Sequence, residues 1–504
     1  VEVYSLHALL VLLALLGSVR YRRSGHFREL ALVSLALSLG LAHHLTIVVL
    51  GPALLVLCGL RLWRDAGAVP RVLGAAALLA VGPSLYLLLL VWAQGSALQV
   101  WGQPDSLSLL WGHASARVYQ GNLHVPDGAG LQRGLAQARA LLSDNFPFLL
   151  FLLPLLGAWA LWKRDRGVTV GLLLGGLVVG GYNLCYRIND LAGYYLVVWL
   201  VAAVLLAAAI DFLVGQLREG PSRSVAAAVA CAVAFGMPLV RNWAHCDLSR
   251  ATWVREFSRH KLEHADRNAV LITQGDQDTF PLWYVHDVLK VRPDVLPIDR
   301  AMTIGMWSEY DKDPSLWYIR RLRRQGVAAP MEAPADPGKR AYWNSGGYLP
   351  DLLTGELRDR PICITGTDAG PGGPLFMRLM NERFATLPQG VILRLQPRTQ
   401  PVNLAQLLYR NEKLWGGIVL PDLRGTRMDQ ELDPSYVRQQ YAHMLVNFGG
   451  LYEMSGDRSR AEAVYQRVEE WTGGFEPAQQ ALAALRRGTQ AQAEQPRTQP
   501  DEKM

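Results

Sequence analysis

The sequence predicts an α-helical polytopic membrane protein, followed by a small α/β domain and a C-terminal helical hairpin. Composition is the first reason, because apolar side chains dominate the first 243 residues whereas the remainder has the mixture typical of soluble domains. Second, the loops between the apolar stretches alternate between rich and poor in arginine. Third, after residue 243 β-branched runs first alternate with helical patterns, and further along the chain only helical patterns occur.

The apolar stretches predict the membrane spans. Crossing a bilayer takes roughly 20 apolar residues in a helix, and on that basis we expect about eight transmembrane helices. They are predicted at residues 4–19, 28–43, 45–62, 72–94, 146–162, 168–186, 192–213 and 223–241.

Arginine placement predicts the orientation of these helices. Short loops on the cytoplasmic side carry the excess of Lys and Arg. The basic clusters fall at residues 20–23, 61–71, 163–166 and 218–223. We therefore expect the intervening loops, and everything after residue 243, to be extracytoplasmic. The formal net charge of +7 is then explained by the Lys and Arg residues that orient the helices in the membrane. Nucleic-acid binding is not expected, because no basic stripe with interleaved aromatic residues occurs.

The predicted transmembrane domain covers residues 1–243 and includes a long outer loop at residues 95–145. Within that loop, residues 106–119 have the pattern of a short helix. Its face formed by Leu107, Leu110 and Trp111 is typical of a helix at the membrane interface. The chain opens on Val1, without an initiating Met and directly against an apolar run, so we expect it to lack its true N-terminus.

Residues 244–398 have the pattern of a small α/β domain, with β-branched apolar runs as strands. The strands are expected at residues 269–273, 294–298 and 360–365. A helix over residues 279–289, with Asp278 or Thr279 as its N-cap, follows the first strand. This strand–helix–strand spacing predicts a parallel pair.

Residues 399–487 are predicted to be helical. Helices at 436–453 and 458–471, joined by a turn at 455–457, are similar to a tetratricopeptide (TPR-like) hairpin. A single hairpin of this kind does not bury its own apolar face, so we expect it to pack on the preceding domain or to be the remnant of an array. Residues 488–504, rich in Gln, Thr and Pro, are expected to be disordered.

Polar residues at the predicted outer ends of the spans form the candidate site, because such groups are costly in a bilayer and by default indicate function. They are Glu2, His7, His43, His44, Trp101, Asn183, Arg187 and Asp190. Arginine, imidazole and carboxylate groups at membrane level suit an anionic phosphate head group on a lipid tail. The alternatives are helix ends that face lipid headgroups, a structural Arg187–Asp190 pair and a solvated Glu2.

No metal site is expected. The run at residues 275–278 contains Asp-x-Asp, but a turn with a helix cap accounts for it. His260 and His264 are four residues apart without the further motif that zinc enzymes carry. None of the five cysteines forms a CxxC pair. Cys246 and Cys363 fall on the predicted outer side, where they either form a disulfide or remain two buried thiols.

Several segments together resemble the DUF2723 family, which is similar to the protein O-mannosyltransferases and to the TMEM-type mannosyltransferases of the eukaryotic secretory pathway. They are residues 2–7, 40–46 with Pro52, Trp101-Gly102, 182–195, 271–284, 292–295 and 387–390. The resemblance implies a GT-C-like membrane glycosyltransferase in a bacterial plasma membrane. Such an enzyme transfers a sugar, mannose-like in type, from a polyprenyl-phosphate donor to a protein or glycan acceptor. It needs no metal or other cofactor, and a carboxylate deprotonates the acceptor.

In one respect the chain departs from the family. The family's acidic motif precedes the segment that matches residues 2–7, so it falls upstream of residue 1, and Glu2 is only a weak substitute. We therefore expect this chain to be unable to transfer sugar by itself. A non-catalytic membrane scaffold that presents an extracytoplasmic interaction domain is the alternative. A transporter is disfavoured, because paired intramembrane charges and repeated broken helices are missing from the pattern.

Overall fold

The computed structural model describes residues 4–64, 67–95, 102–145, 152–188, 192–246, 252–304, 316–330, 332–366, 373–423 and 433–493. The chain divides into two compact units, Val1–Leu248 and Ser249–Met504. This division lies close to the boundary that composition predicts after residue 243.

The first unit is helical. Its helices are α1 (Tyr4–Ser24), α2 (Phe27–His43), α3 (Gly51–Leu54), α4 (Leu60–Trp63), α5 (Ala68–Leu79), α6 (Val81–Gly95), α7 (Leu107–Ala114), α8 (Gly128–Asn145), α9 (Leu153–Arg164), α10 (Arg166–Leu184), α11 (Leu196–Gly215) and α12 (Pro221–Cys246). Each of the predicted apolar stretches contains helix in the described residues.

Within the described residues of this unit, four helical segments are long and apolar enough to cross a membrane, which confirms the coarse prediction of a helical membrane protein. They are Tyr4–Ser24, Ala68–Gln94, Arg166–Leu184 and Gly193–Gly215. Leu45–Gly59 and Pro221–Ala234 are apolar but shorter. The total of about eight spans stays a prediction.

The third predicted span is not one regular helix. Residues Leu45–Leu50 form a 3₁₀ helix, α3 follows, and Leu55–Gly59 form a π-helical turn before α4. Pro52 occupies the first turn of α3, where its missing N–H removes no helical hydrogen bond. Apolar periodicity alone does not reveal such changes of helix type, which depend on the packing around the segment.

Small residues let neighbouring helices of this unit approach closely. A Cβ on Gly82 would lie 1.7 Å from the carbonyl oxygen of Ser38, and one on Gly157 would lie 1.7 Å from that of Leu205. The Ser38 hydroxyl also accepts a hydrogen bond from the backbone N–H of Gly82. Close backbone contact at small residues is how helices associate in membranes, where water does not drive them together.

The described part of the long loop, residues 102–145, contains the predicted short helix and a further helix, α8. In α7 the Ser106 side chain accepts from the N–H of Leu109, which is an N-cap. Leu107 and Trp111 are exposed while Leu110 is buried, so the expected apolar face is only partly covered by protein. The sequence did not predict α8, which fills the second half of the loop.

The second unit contains a five-stranded sheet. Its strands are β1 (Val270–Thr273), β2 (Leu296–Asp299), β3 (Ile362–Ile364), β4 (Phe384–Gln389) and β5 (Ile392–Pro397), in the order β2-β1-β3-β5-β4. As predicted, β1 pairs in parallel with β2, and it also pairs in parallel with β3. Cys363, at the centre of β3, is a buried free thiol, so the disulfide alternative is wrong.

The antiparallel pair β4–β5 was not predicted. Pro388 lies in β4, which is the edge strand, where a missing N–H is tolerated. The turn between the strands begins at Gly390, whose φ is +60° and whose Cβ, if present, would lie 2.0 Å from the His264 ring. Glycine is therefore required at this position for both conformation and space.

The helix after β1 begins earlier than predicted. Helix α13 (Trp253–His264) precedes the sheet, and α14 (Asp276–Trp283) starts directly after β1, with Gly275 at its N-cap and no side-chain cap. The prediction that Asp278 or Thr279 caps a helix over residues 279–289 is therefore wrong. Both side chains lie within the helix and are buried, and their hydrogen-bond partners lie elsewhere in the domain.

The remaining helices of the unit cover the sheet and extend beyond it. They are α15 (Leu316–Arg324), α16 (Pro337–Tyr342), α17 (Tyr348–Thr354), α18 (Gly373–Asn381), α19 (Leu404–Gly416), α20 (Asp433–Met454), α21 (Arg458–Thr472) and α22 (Glu476–Ala493). Helices α20 and α21 confirm the predicted hairpin. Its apolar side chains share one core with the sheet, as expected. The predicted disordered tail is wrong for residues 488–493, which continue α22, and its remainder lies outside the described residues.

Candidate functional site

A cluster of imidazole and phenol rings lies where α1, α2 and the segment before α11 meet in the first unit. His7 lies on α1, His43 ends α2 and His44 follows it. The ring centroids of His7 and His44 are 5.0 Å apart, and those of His44 and Tyr194 are 5.6 Å apart. Tyr4 completes this group, at 5.9 Å from His44. The structure thus brings together two of the predicted site residues.

Local backbone features explain how the chain places these rings. The N–H of His44 donates to the carbonyl of Gly40, which ends α2, and His44 itself is extended with φ −150°. The Nδ1 of His44 lies 2.6 Å from the Thr46 hydroxyl, which orients the imidazole. Gly193 leaves room for Tyr4, because a Cβ there would lie 2.3 Å from the Tyr4 ring. The cluster therefore requires glycine at position 193.

A second group of rings extends the cluster toward α10. Tyr186 and Tyr194 have centroids 5.4 Å apart, and Tyr182 stacks on Tyr186 at 5.3 Å. These tyrosines and Tyr4 are not among the site residues that the sequence predicts. Their spacing at the ends of two different helices gives no sign of the contact, which the fold creates.

Two polar side chains of the cluster region are buried without hydrogen-bond partners among the described residues. His7 is 3% exposed and its Nδ1 has no partner there. Asn183, in the last turn of α10, is 1% exposed, and neither its amide nitrogen nor its amide oxygen has one. Buried polar atoms in folded proteins are normally satisfied, so such exceptions indicate a place for a water molecule or a ligand.

Arg187 differs from these residues, because its side chain is exposed. Its backbone N–H donates to the carbonyl of Asn122 at 2.9 Å, and the N–H of His124 donates to the carbonyl of Cys185 at 2.9 Å. A short antiparallel bridge between Leu123 and Tyr186 therefore joins the loop between α6 and α9 to the segment after α10. This bridge fixes the backbone at Arg187 and leaves the guanidinium accessible.

Three predicted site residues lie outside the described residues: Glu2, Trp101 and Asp190. The remaining five are described. Of these, His7 and His44 contact each other, and His43 precedes His44 in the chain. Asn183 follows Tyr182, the tyrosine that stacks on Tyr186. The backbone of Arg187 is held by the loop bridge. The position of the predicted carboxylates relative to the imidazoles stays a prediction.

The Asp-x-Asp run of the second unit forms a different kind of polar centre. Asp278 is completely buried and pairs with Lys261 of α13, which is 1% exposed. The same carboxylate accepts hydrogen bonds from the backbone N–H of Gln274 and from the Thr365 hydroxyl. Lys261 also lies over the Phe257 ring, 3.9 Å from its centroid. Asp278 is therefore an acceptor that holds α13, β1 and β3 together.

The other candidate ligands for a metal also have structural partners. The Nδ1 of His260 lies 2.8 Å from the Tyr441 hydroxyl. The Nδ1 of His264 accepts from the N–H of Val391 at 3.1 Å. Burial lowers the pKa of both imidazoles, so they are neutral and suited to these contacts. Among the residues that the structure describes, no group of three or more His, Cys, Asp or Glu side chains is placed to hold a metal ion.

These features define a helical membrane protein with a small sheet domain. Residues 254–337 match the family model described as TMEM260-associated domain 2. This stretch includes β1, β2 and α14 and lies within the second unit. Comparison with curated proteins gives no match, and comparison with solved structures gives none.

Proposed function

We propose that the chain is a GT-C-like membrane glycosyltransferase of the DUF2723 type, or a fragment of one, which binds a polyprenyl-phosphate sugar at the ring cluster of the first unit. The observation that carries the proposal is the burial of the His7 Nδ1 and of both amide atoms of Asn183 without hydrogen-bond partners among the described residues. Burying a polar group without a hydrogen-bond partner lowers the stability of the fold by roughly 1–3 kcal/mol. Such a group is retained where a bound ligand supplies the missing hydrogen bonds.

The chemistry of the cluster suits a phosphate-bearing lipid. The exposed guanidinium of Arg187 is free to form two parallel hydrogen bonds with a phosphate. The imidazoles of His7, His43 and His44 and the amide of Asn183 supply hydrogen-bond donors around the sugar and its phosphate. The rings of Tyr4, Tyr186 and Tyr194 provide flat apolar surfaces for the sugar and the first units of the lipid tail.

The remaining parts of the proposal rest on the sequence. The arginine alternation supports about eight spans with the cluster and the second unit on the extracytoplasmic side. The segments that resemble the family support a protein or glycan acceptor and transfer without a metal. The match over residues 254–337 overlaps two of those segments but names no activity. Donor binding is the step that the described residues of the cluster allow to be tested, because Glu2 lies outside them.

A binding measurement tests the proposal directly. The full chain in lipid nanodiscs is titrated with a short-chain polyprenyl-phosphate mannose, with the corresponding polyprenyl phosphate and with the uncharged polyprenol. We expect saturable binding of the two phosphates and none of the alcohol. Replacing Arg187 by Ala should weaken phosphate binding by about tenfold or more, the loss of one charge-assisted contact.

Arg139→Ala is the matched control, because Arg139 is an exposed arginine on α8 in the same outer loop. It should leave donor binding unchanged. Equal binding of the phosphates and the alcohol, or equal affinity of the wild type and Arg187→Ala, would contradict the proposal for this site.

The alternative is a non-catalytic membrane scaffold. One observation favours it: α20, α21 and α22 form a series of packed helices at the end of the second unit, similar to repeat proteins that bind peptides. A scaffold has no need of unsatisfied polar groups among its apolar helices. A chain that retains its protein partners but binds no polyprenyl phosphate would favour the scaffold.

A further inference from the structure

A cavity of about 530 Å³ opens in the second unit, away from the carboxyl ends of its parallel strands. It is lined by Ala265, Asp266, Arg267, Arg292, Asp294 and Arg410. Residues 265–267 precede β1, residues 292–294 precede β2, and Arg410 lies on α19. We propose that this cavity, the arginine pocket, binds the phosphate group of a small phosphate ester.

Hydrogen bonds within the second unit hold Arg292 in place in the wall of the arginine pocket. The guanidinium of Arg292 donates to the carbonyls of Leu262 and Ala265 at 3.1 and 3.0 Å, and it pairs with both carboxylate oxygens of Asp294. Arg292 itself has φ +51°, a conformation that is strained for a residue with a side chain. Such strain persists only where the surrounding contacts fix it, and it concentrates at binding sites.

The charge of the arginine pocket favours an anion, because its carboxylates are already engaged. Asp294 pairs with Arg292, whose hydrogen bonds hold the pKa of that carboxyl well below its usual range. Asp266 is bound by Arg394 on one oxygen and by Arg410 on the other. Four arginines thus face two carboxylates, which leaves a net charge of +2 on these six side chains.

Arg267 is the residue that remains available. Its side chain is exposed at the pocket, and it makes no ion pair within the part of the chain that the structure describes. Arg410 uses only its Nη2 toward Asp266. A phosphate between these two guanidinium groups would receive charge-assisted hydrogen bonds from both, the geometry in which arginine recognises phosphate.

The size of the arginine pocket indicates what the phosphate is attached to. A cavity of about 530 Å³ is within the range of small-molecule sites and exceeds the volume of inorganic phosphate. The pocket therefore has room for a further polar group, such as the sugar of a hexose phosphate or the glycerol of a phospholipid headgroup. Both sources present the same phosphate chemistry to Arg267 and Arg410.

Calorimetric titration of the full chain in a phosphate-free detergent tests the proposal. The probes are inorganic phosphate, a hexose 1-phosphate and a short-chain phosphatidylglycerol below its micelle concentration. We expect saturable binding that weakens with ionic strength, because the pocket is open to water. Tighter binding of the hexose phosphate than of the other two identifies a soluble ester, and tighter binding of the phospholipid identifies a headgroup.

Arg267→Gln should weaken binding by about tenfold, the effect of one charge-assisted contact. Arg467→Gln is the matched control, because Arg467 is an exposed arginine on α21, outside the pocket, and it should change nothing. Arg267→Gln should also leave polyprenyl-phosphate binding at Arg187 unchanged, so the two proposals fail separately. Absence of saturable binding by all three probes, or equal affinity in Arg267→Gln and the wild type, would overturn the assignment.

Discussion

Two buried polar centres, one in each unit, differ in whether their polar atoms have hydrogen-bond partners. In the second unit, Lys261 and Asp278 are buried as an ion pair, and the carboxylate receives further hydrogen bonds from Gln274 and Thr365. In the first unit, His7 and Asn183 are also buried, yet the His7 Nδ1 and both amide atoms of Asn183 have no hydrogen-bond partner among the described residues. Satisfied buried polar groups help to fix a fold, whereas an unsatisfied one needs a specific explanation, of which a bound ligand is one. The difference supports a structural role for the centre in the second unit, and it motivates the ligand binding proposed for the centre in the first.

The largest expected effect comes from breaking the satisfied centre. Lys261→Met leaves the Asp278 carboxylate buried without its counter-charge. Removing one partner of a buried ion pair costs about 3–5 kcal/mol. Hydrogen exchange at the amides of β1 measures the loss, because it reports local opening in the second unit even when the whole chain does not unfold in one step.

Two further variants sharpen this measurement. Lys413→Met, at an exposed lysine of α19, should leave the exchange of β1 unchanged. The double variant Lys261→Met with Asp278→Asn should recover part of the lost protection, because no unpaired charge remains buried. Unaltered protection in Lys261→Met would mean that the pair contributes nothing to the fold.

The next effect is a dependence on pH in the second unit. Burial, and then the positive charges of His260 and Arg410, lower the pKa of His264 from 6.5 to about 3. Below pH 6.5 the unfolded chain therefore takes up a proton that the folded unit does not. The neutral His264 therefore contributes fully to the free energy of unfolding above pH 6.5. This contribution is lost as the pH falls from 6.5 toward 3, by up to about 1.4 kcal/mol per pH unit.

His264→Asn isolates this contribution, because an asparagine oxygen can replace Nδ1 as the acceptor for the N–H of Val391. Carboxylates also titrate in this range, so the quantity to compare is the change in β1 protection between about pH 7 and about pH 5 in the variant and in the wild type. A smaller change is expected in the variant. The same acid sensitivity in both proteins would show that His264 is not responsible.

The smallest effect on stability is expected for a substitution of Asn183. The same substitution most clearly tests the contrast between the buried polar groups of the two units. Asn183→Leu removes an amide that has no hydrogen-bond partner in the described residues. The free energy of unfolding in detergent should therefore stay the same or rise by about 1 kcal/mol. Binding of the polyprenyl-phosphate sugar should fall at the same time, because the ligand loses a hydrogen-bond partner.

Thr169→Val is the matched control on the same helix. The Thr169 hydroxyl is buried and donates to the carbonyl of Asp165 at 3.1 Å, so its removal should lower stability by about 0.5–1.5 kcal/mol without affecting donor binding. An Asn183→Leu protein that is less stable and binds the donor normally would assign Asn183 to the fold rather than to the site.

Much of the architecture follows from local patterns. The long apolar runs predicted α1, α10 and α11, because length and composition alone decide whether a helix suits a bilayer. The β-branched runs predicted β1, β2 and β3 and their parallel pairing. Two elements escaped prediction for physical reasons: β4 contains Pro388, which reads as a break in a strand, and the interrupted helix at residues 45–63 depends on its packing.

The candidate site was predicted only in part. His7, His44 and Asn183 were recognisable as polar residues at the ends of apolar helices, where their presence is costly. Their contact with Tyr4 and Tyr194, and the exposure of Arg187, depend on residues that are far apart in the chain. The role of Asp278 was misread, because a turn-and-cap pattern and a buried ion pair use the same residue types.

The sequence by itself determined that apolar helices precede a parallel sheet and a helical hairpin, because periodicity and side-chain polarity act locally. Only the tertiary structure decided which polar groups have partners. Lys261 and Asp278 meet because α13 packs beside α14, whereas His7 and Asn183 are enclosed by apolar helices that offer them no described hydrogen-bond partner. Satisfaction of a buried polar group is a property of the whole fold, and here it separates the centre that stabilises from the centre proposed to bind.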